Sequence, residues 1–391
     1  MMNSLLKRIG IYSLDDKLLF AFSTVLFFPI FFDFITVITG GNSSNYTFIV
    51  YIGTLLLFFS KFYRVIKPTN VLLIFGLYVI FVLNYFIFPV SQPYISSTGF
   101  ILVCVYFIPI GFLFFTQIKD WSNLICILNK YSILAFAIGL YILFFTNITI
   151  EKSDEALFTY MEFSYALLPF ICASFTVFFK TKKKTALIVF LLGLFEILSY
   201  GCRGAIISTV LFVVLIILLK SKTNKILFSV STILMLFVYL NLEDIANFLL
   251  SIDLFSNSYF LKHFVSGAMF ESERSQIYNL CEIRITKMGL ELSGLFGDRP
   301  FCGSVYPHNF VYEILMQFGW CFGLIILISY LTLIISCLKK KAYRESVIFI
   351  LCALLLKYML SGSYLLSGQF WIATSALIAI STSNRTRYTS K

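Results

Sequence analysis

Residues 18–38 read LLFAFSTVLFFPIFFDFITVI, and this run contains a single charged side chain, Asp33. A helix of about 20 apolar residues matches the hydrocarbon core of a bilayer, which is about 30 Å thick. The apolar region of a secretory signal is shorter, about 7–15 residues. The run therefore predicts a first transmembrane helix that is retained.

The rest of the chain has the same character. Hydrophobic residues make up 59% of the 391 positions, Phe alone accounts for 46 of them, and charged residues make up 13%. Soluble globular domains usually carry about 25% charged residues. The composition argues against a water-soluble fold. It predicts an all-α polytopic membrane protein, a single integral domain over residues 1–391.

Apolar runs of helical length continue along the chain and predict about twelve transmembrane helices. They lie at residues 18–38, 46–60, 71–90, 99–118, 131–150, 161–179, 185–199, 205–219, 226–242, 309–338, 346–360 and 365–381.

Basic residues are divided unevenly between the connections. Of the 30 Lys and Arg, 22 lie in one set of alternate connections and seven in the other, while Lys357 lies within a predicted helix. Cytoplasmic connections carry the excess of Lys and Arg. Both termini are therefore expected on the cytoplasmic side of a bacterial inner membrane. The net charge of +11 then reflects topology, and nucleic acid is not an expected partner.

The longest outer connection covers residues 243–307 and is predicted to be periplasmic, between the ninth and tenth helices. Long connections in compact chains are usually functional. Its part from Glu273 to Glu291 has a helical pattern, which Gly294 and Gly297 end. No internal repeat of the kind that builds many transporters is found.

Nine cysteines are scattered, without a C-x-x-C or a Cys/His cluster, so no metal site is predicted. Cys202, Cys281 and Cys302 fall near the outer face. A disulfide between Cys281 and Cys302 is left open by the sequence, as is the alternative of two free thiols.

The first candidate for chemistry is Gly201-Cys202-Arg203-Gly204. The two flanking runs are each about 22 Å long as helices, shorter than the bilayer core, which places Arg203 at a break below the outer surface. Such an arginine needs an anion. One alternative is Glu196, seven residues earlier on the same helix face. The other is a substrate phosphate or diphosphate, which a guanidinium matches with two parallel hydrogen bonds.

Two further arginines lie in the long connection. Arg274 follows Ser272-Glu273 and, taken alone, fits a solvated surface charge. Arg299 stands in the turn Gly297-Asp298-Arg299-Pro300, where a local pair with Asp298 is favoured.

The last candidate is Pro307-His308-Asn309, followed by Glu313, at the start of the tenth helix. Asn309 fits a helix N-cap, and Glu313 in the first turn suits the positive helix end. These roles need no function. His308 is either structural or a proton acceptor that titrates near neutral pH. Nucleotide-binding, zinc-protease and serine-hydrolase motifs are absent from the sequence.

In combination these segments resemble a known family. A G-x-R-G-A segment opening one helix, an S-x-R opening a long outer loop, and H-N-x-x-x-E followed by Gly319 and Gly323 are similar to the O-antigen polymerase and ligase superfamily. The similarity runs across residues 185–338. Cys202 departs from the Ser that often precedes the family's arginine.

The resemblance implies a GT-C-like glycosyltransferase without a metal or other cofactor. Its substrate would be an oligosaccharide on undecaprenyl diphosphate, used at the periplasmic face, with a chain-length regulator protein as a further partner. Arg203 and Arg274 match the arginines thought to hold the diphosphate, and His308 matches the proposed general base. Asn309 and Glu313 match the positions that follow it, whereas Arg299 has no firm counterpart.

Three functions fit these observations. A polymerase would join repeat units into a longer lipid-linked chain, and a ligase would move a finished chain to lipid A-core. A flippase or other non-catalytic transporter should show charges along a central cavity and repeat symmetry. Because the candidate residues concentrate on one face, an enzyme is favoured, and the His308 segment favours the polymerase.

Overall fold

The computed structural model describes residues 13–39, 44–145, 160–221, 247–248, 250–251, 262, 265, 274–288, 291–302 and 306–383. The described residues are mostly helical and contain no β-strand. The main helices are α1 Leu14–Thr39, α2 Ser44–Phe62, α3 Pro68–Ile87, α4 Thr98–Gln117, α5 Leu124–Phe145, α6 Tyr160–Thr181, α7 Lys184–Tyr200, α8 Arg203–Ser221, α9 Arg274–Met288, α10 Phe310–Lys339, α11 at residues 344–360 and α12 Gly368–Thr382.

Seven of the described helices, α1 to α6 and α10, are long and apolar enough to cross a membrane. The all-α polytopic class is thereby confirmed. Helices α7, α8, α11 and α12 coincide with further predicted runs but are not among these seven, and the apolar part of α8 covers only Arg203–Leu219. The predicted helix at residues 226–242 lies outside the described residues. Helix α5 begins at Leu124 and not at residue 131. Lys130, which was expected in the preceding connection, lies within the helix and is exposed, because a long lysine side chain can reach water from an apolar helix.

Helix α6 is the centre of one half of the bundle and packs against α1, α5, α7 and α8. In the other half, α12 packs against α4, α10 and α11. Many large apolar side chains face outward, among them Leu72, Phe86 and Ile328. An apolar surface of this extent fits lipid as the solvent of the bundle.

One end of the bundle gathers connections that the charge pattern assigns to the cytoplasm. The carbonyl of Lys119 accepts hydrogen bonds from the hydroxyls of Tyr343 (2.9 Å) and Ser383 (3.1 Å). The Asp15 carboxylate accepts one from the Lys119 N–H (3.1 Å). These four segments therefore share one end, as the division of Lys and Arg predicts.

The opposite end gathers the predicted outer connections. The N–H of Leu295 donates to Asn84 near the end of α3 (3.0 Å). The N–H of Tyr364, between α11 and α12, donates to Glu313 at the start of α10 (3.4 Å). The turn at residues 295–302 and the start of α10 are thus fixed against the membrane helices, and the candidate residues are located here.

Candidate functional site

The start of α10 presents His308 in an uncommon backbone conformation. Asn309 is the N-cap, as predicted, since its side-chain oxygen accepts hydrogen bonds from the N–H groups of Val311 (2.9 Å) and Tyr312 (3.4 Å). The φ angle of His308 is 56°, in the left-handed region that few residues other than Gly adopt. Such conformations cluster at functional sites. The His308 ring contacts that of Tyr306, with 4.3 Å between ring centres.

Glu313, in the first turn of α10, is buried and satisfied by the α11–α12 connection. One carboxylate oxygen accepts a hydrogen bond from the Ser363 hydroxyl, and the other accepts one from the Tyr364 N–H. The carboxyl group lies in the first turn of α10, the position predicted for it. Glu313 therefore fastens the His308 end of α10 to the bundle.

Helix α10 is broken at Gly319, where φ is 64° and ψ is −177°. The break frees the carbonyl of Gln317, which accepts hydrogen bonds from the N–H groups of Ser293 (3.1 Å) and Gly294 (3.0 Å). The Gln317 amide donates to Asp298 (2.7 Å) and accepts from the Tyr364 hydroxyl (2.7 Å). The helix break therefore holds the Asp298 turn in place.

Arg299 lies in this turn with 4% of its surface exposed, and the neighbouring Asp298 is fully buried. The local pair is confirmed, with 3.7 Å between Arg299 Nε and an Asp298 oxygen. The guanidinium carbon lies 5.6 Å from the ring centres of Tyr94 and Phe296 and 5.1 Å from that of Tyr306. These four side chains are called the Arg299 cage below.

The Arg299 cage contains hydrogen-bond donors that are not used. Among the described residues, Arg299 Nε and Nη2 are buried without a hydrogen-bond partner. Buried polar groups are normally satisfied, and an anionic ligand is one explanation for an exception. Burial raises the pKa of Tyr306, so its neutral ring faces the cation. Burial also raises the pKa of Asp298, while the Gln317 hydrogen bond and the charge of Arg299 lower it.

Arg203 lies at a different helix break. Helix α7 ends at Tyr200, Gly201 has a φ of 70°, and α8 begins at Arg203. The predicted break is therefore confirmed. The alternative pairing with Glu196 is not formed as a hydrogen bond, because both oxygens of the buried Glu196 lack a hydrogen-bond partner in the described structure. Packing directs that carboxylate elsewhere, against Gly139 of α5.

Arg274 is the first residue of α9, the helix predicted from the pattern at Glu273 to Glu291. Its side chain lies outside the described residues. Helix α9 packs against α10, so the helix that begins with Arg274 is adjacent to the one that begins after His308. The structure thus gathers Arg299, His308 and Glu313 at one end, whereas Arg203 stands at the α7–α8 break.

Several residues of the site could not be identified from the sequence alone. Tyr94, Phe296 and Tyr306 belong to a chain with 18% aromatic residues, and nothing local marks them as cage members. Asn84 and Gln317 could have been noticed, because each is an uncharged polar residue inside an apolar run.

A further polar group extends the site between the helices. The amine of Lys357 in α11 donates to Gln369 of α12.

Fold and site together define a polytopic membrane protein with a buried cation and a histidine at one end of its helices. The sequence matches no family model, and no curated protein matches it.

Proposed function

We propose that this chain is an O-antigen polymerase, a glycosyltransferase that joins oligosaccharide repeat units carried on undecaprenyl diphosphate. The observation that carries the proposal is the contact of His308 with Tyr306, a ring that also lies beside the guanidinium of Arg299. A histidine and a buried cation therefore contact the same ring, at the end of the bundle where the predicted outer connections meet.

The proposed reaction is a single displacement at the anomeric carbon. The His308 imidazole takes the proton of an acceptor hydroxyl as its oxygen attacks the anomeric carbon of the donor sugar. The bond from that carbon to the diphosphate breaks, and undecaprenyl diphosphate leaves with both electrons. Direct displacement inverts the anomeric centre. The developing negative charge needs fixed cations, a role proposed for Arg203 and Arg274. The unsatisfied nitrogens of Arg299 supply a third candidate.

The proposed topology has about twelve spans in the bacterial inner membrane, with both termini cytoplasmic and residues 243–307 periplasmic. The gathering of the connections at Lys119 and at Leu295 on opposite ends supports the alternation. The proposed reaction uses no metal. The described residues contain no cluster of three or more His, Cys, Asp or Glu side chains suited to a metal ion, and metal independence stays a prediction.

A gel of surface polysaccharide from cells lacking this chain separates polymerase from ligase. Loss of a polymerase leaves lipid A-core carrying one repeat unit and no ladder. Loss of a ligase leaves bare core and long chains stranded on undecaprenyl diphosphate, which would contradict the proposal.

A transporter is a second candidate, favoured by the buried Glu196 carboxylate and by Lys357 between α11 and α12. Purified protein in detergent, which has no compartments, distinguishes the two. A polymerase lengthens the chains of an added lipid-linked repeat unit. A transporter leaves them unchanged.

A further inference from the structure

Two thiols of the long outer connection face each other. Cys281 in the middle of α9 and Cys302 at the end of the Asp298 turn have their sulfur atoms 3.8 Å apart. Cys281 is fully buried and Cys302 is 5% exposed. Leu315 and Met316 of α10 and Ile285 of α9 pack around them. The contact is fixed from both sides, because α9 packs on α10 and the turn is hydrogen-bonded to Gln317.

A side-chain rotation within this enclosure would bring the sulfur atoms into bonding distance, since a disulfide joins them at about 2.0 Å. Both cysteines belong to the connection proposed to lie in the periplasm, where disulfides form and persist. The other described cysteines lie within or beside the membrane helices. Cys126 and Cys321, for example, are exposed on α5 and α10.

We infer that Cys281 and Cys302 form a disulfide in the mature protein. The oxidant is the disulfide of an envelope thiol–disulfide oxidoreductase. One thiol loses its proton and attacks a sulfur of that disulfide, which releases one thiolate of the oxidant and leaves a mixed disulfide. The second cysteine then loses its proton, attacks the mixed disulfide and expels the other thiolate. Two protein thiols become one disulfide, and the oxidant disulfide becomes two thiols.

The bond would have a structural consequence for the site. It would join the helix that begins with Arg274 to the turn that carries Arg299. A crosslink restricts the unfolded chain and so favours the folded state. Reduction should therefore lower the thermal unfolding midpoint of the detergent-purified chain, and it should not do so in Cys281→Ser.

The test uses the full-length chain in membranes from cells with an oxidising envelope. Free thiols are blocked with a maleimide before the chain is digested without reductant and its peptides are weighed. The expected result is a Cys281–Cys302 peptide pair that disappears on reduction. Cys281→Ser and Cys302→Ser should each abolish it, and the control Cys126→Ser should retain it. Maleimide adducts on both cysteines without prior reduction would overturn the inference.

The inference depends on the proposed outward orientation of residues 243–307 but not on glycosyl transfer, because the readout is a mass and not polymer. If both thiols are free in cells, treating the purified chain with oxidised glutathione identifies the error. Rapid bond formation in vitro would mean that the loop faces a reducing compartment. No bond would mean that the two sulfur atoms do not meet.

Discussion

The guanidinium of Arg299 lies over the ring of Tyr306, with 5.1 Å between the guanidinium carbon and the ring centre. His308 contacts the same ring, with 4.3 Å between the two ring centres. A cation on an aromatic face is stabilised by about 0.5–2 kcal/mol, more when water is excluded. This stack connects the turn at residues 295–302 to the start of α10 and leads to the first prediction.

Replacing Arg299 with Lys should reduce polymer synthesis about tenfold or more, with normal amounts of protein in the membrane. A lysine amine is a point charge that cannot stack on three rings or present two parallel N–H groups. The matched control is Arg284→Lys, because among the described residues the guanidinium of Arg284 lies over a single ring, that of Phe301, at 4.3 Å from its centre. Polymer ladders measure polymer synthesis, and immunoblots measure the amount of protein in the membrane. Equal losses in the two variants would remove the special role of the cage.

His308→Ala should lower turnover by about 10²–10⁴-fold, the usual contribution of a general base. His308→Asn should be equally inactive but better folded, because Asn tolerates the left-handed conformation that this position requires. His263→Ala serves as the control, since His263 is the other histidine of the chain. Transfer is measured with purified protein and lipid-linked repeat units. Normal transfer by His308→Asn in this assay would exclude proton transfer by this residue.

Glu313→Ala should destabilise the chain, because it leaves the Ser363 hydroxyl and the Tyr364 N–H without their acceptor. Each buried polar group left unsatisfied costs about 1–3 kcal/mol. Glu313→Gln keeps one acceptor oxygen and should lose less. Glu282→Ala, which removes an exposed partner of the Tyr312 hydroxyl, should have little effect. The thermal unfolding midpoints in detergent rank the three variants by stability. If Glu282→Ala were the most damaging, the anchoring role of Glu313 would be wrong.

Arg203→Lys and Arg274→Lys should each lose most of the polymer while the protein still reaches the membrane. If these residues hold a diphosphate, two parallel hydrogen bonds from a guanidinium are lost in the lysine variants. The ladder is compared with that of Arg284→Lys at equal protein amounts. A normal ladder from both variants would remove the two arginines from the site.

The orientation can be tested by labelling with a membrane-impermeant maleimide in a background without other reactive cysteines. Lys287→Cys, on the exposed side of α9, should react in cells with an intact inner membrane. Lys182→Cys, in the basic connection between α6 and α7, should react only after that membrane is opened. Reaction of Lys182→Cys in intact cells would reverse the topology and the sidedness of every proposed site residue.

Much of the helical framework was predictable from local sequence. The run at residues 18–38 corresponds to α1, the Gly201 break to the α7–α8 boundary, and Asn309 to the N-cap of α10. The break at Gly319 was not predicted, because an apolar run gives no sign that its helix is interrupted. The candidate site was only partly visible, since Arg299 was recognised as one half of a local pair and not as the centre of a cage.

The sequence by itself determined that this protein is embedded in a membrane. It also determined the positions of most helices along the chain and which connections share an end of the bundle. Hydrophobicity, charge and helix capping act over a few residues and can be read locally. Only the tertiary structure decided that Tyr94 meets Arg299, that Glu313 meets Ser363, and that Cys281 meets Cys302. In the first of these contacts the partners are about 200 residues apart in the chain. All three contacts depend on how separate helices and connections pack together in space, which no local pattern specifies.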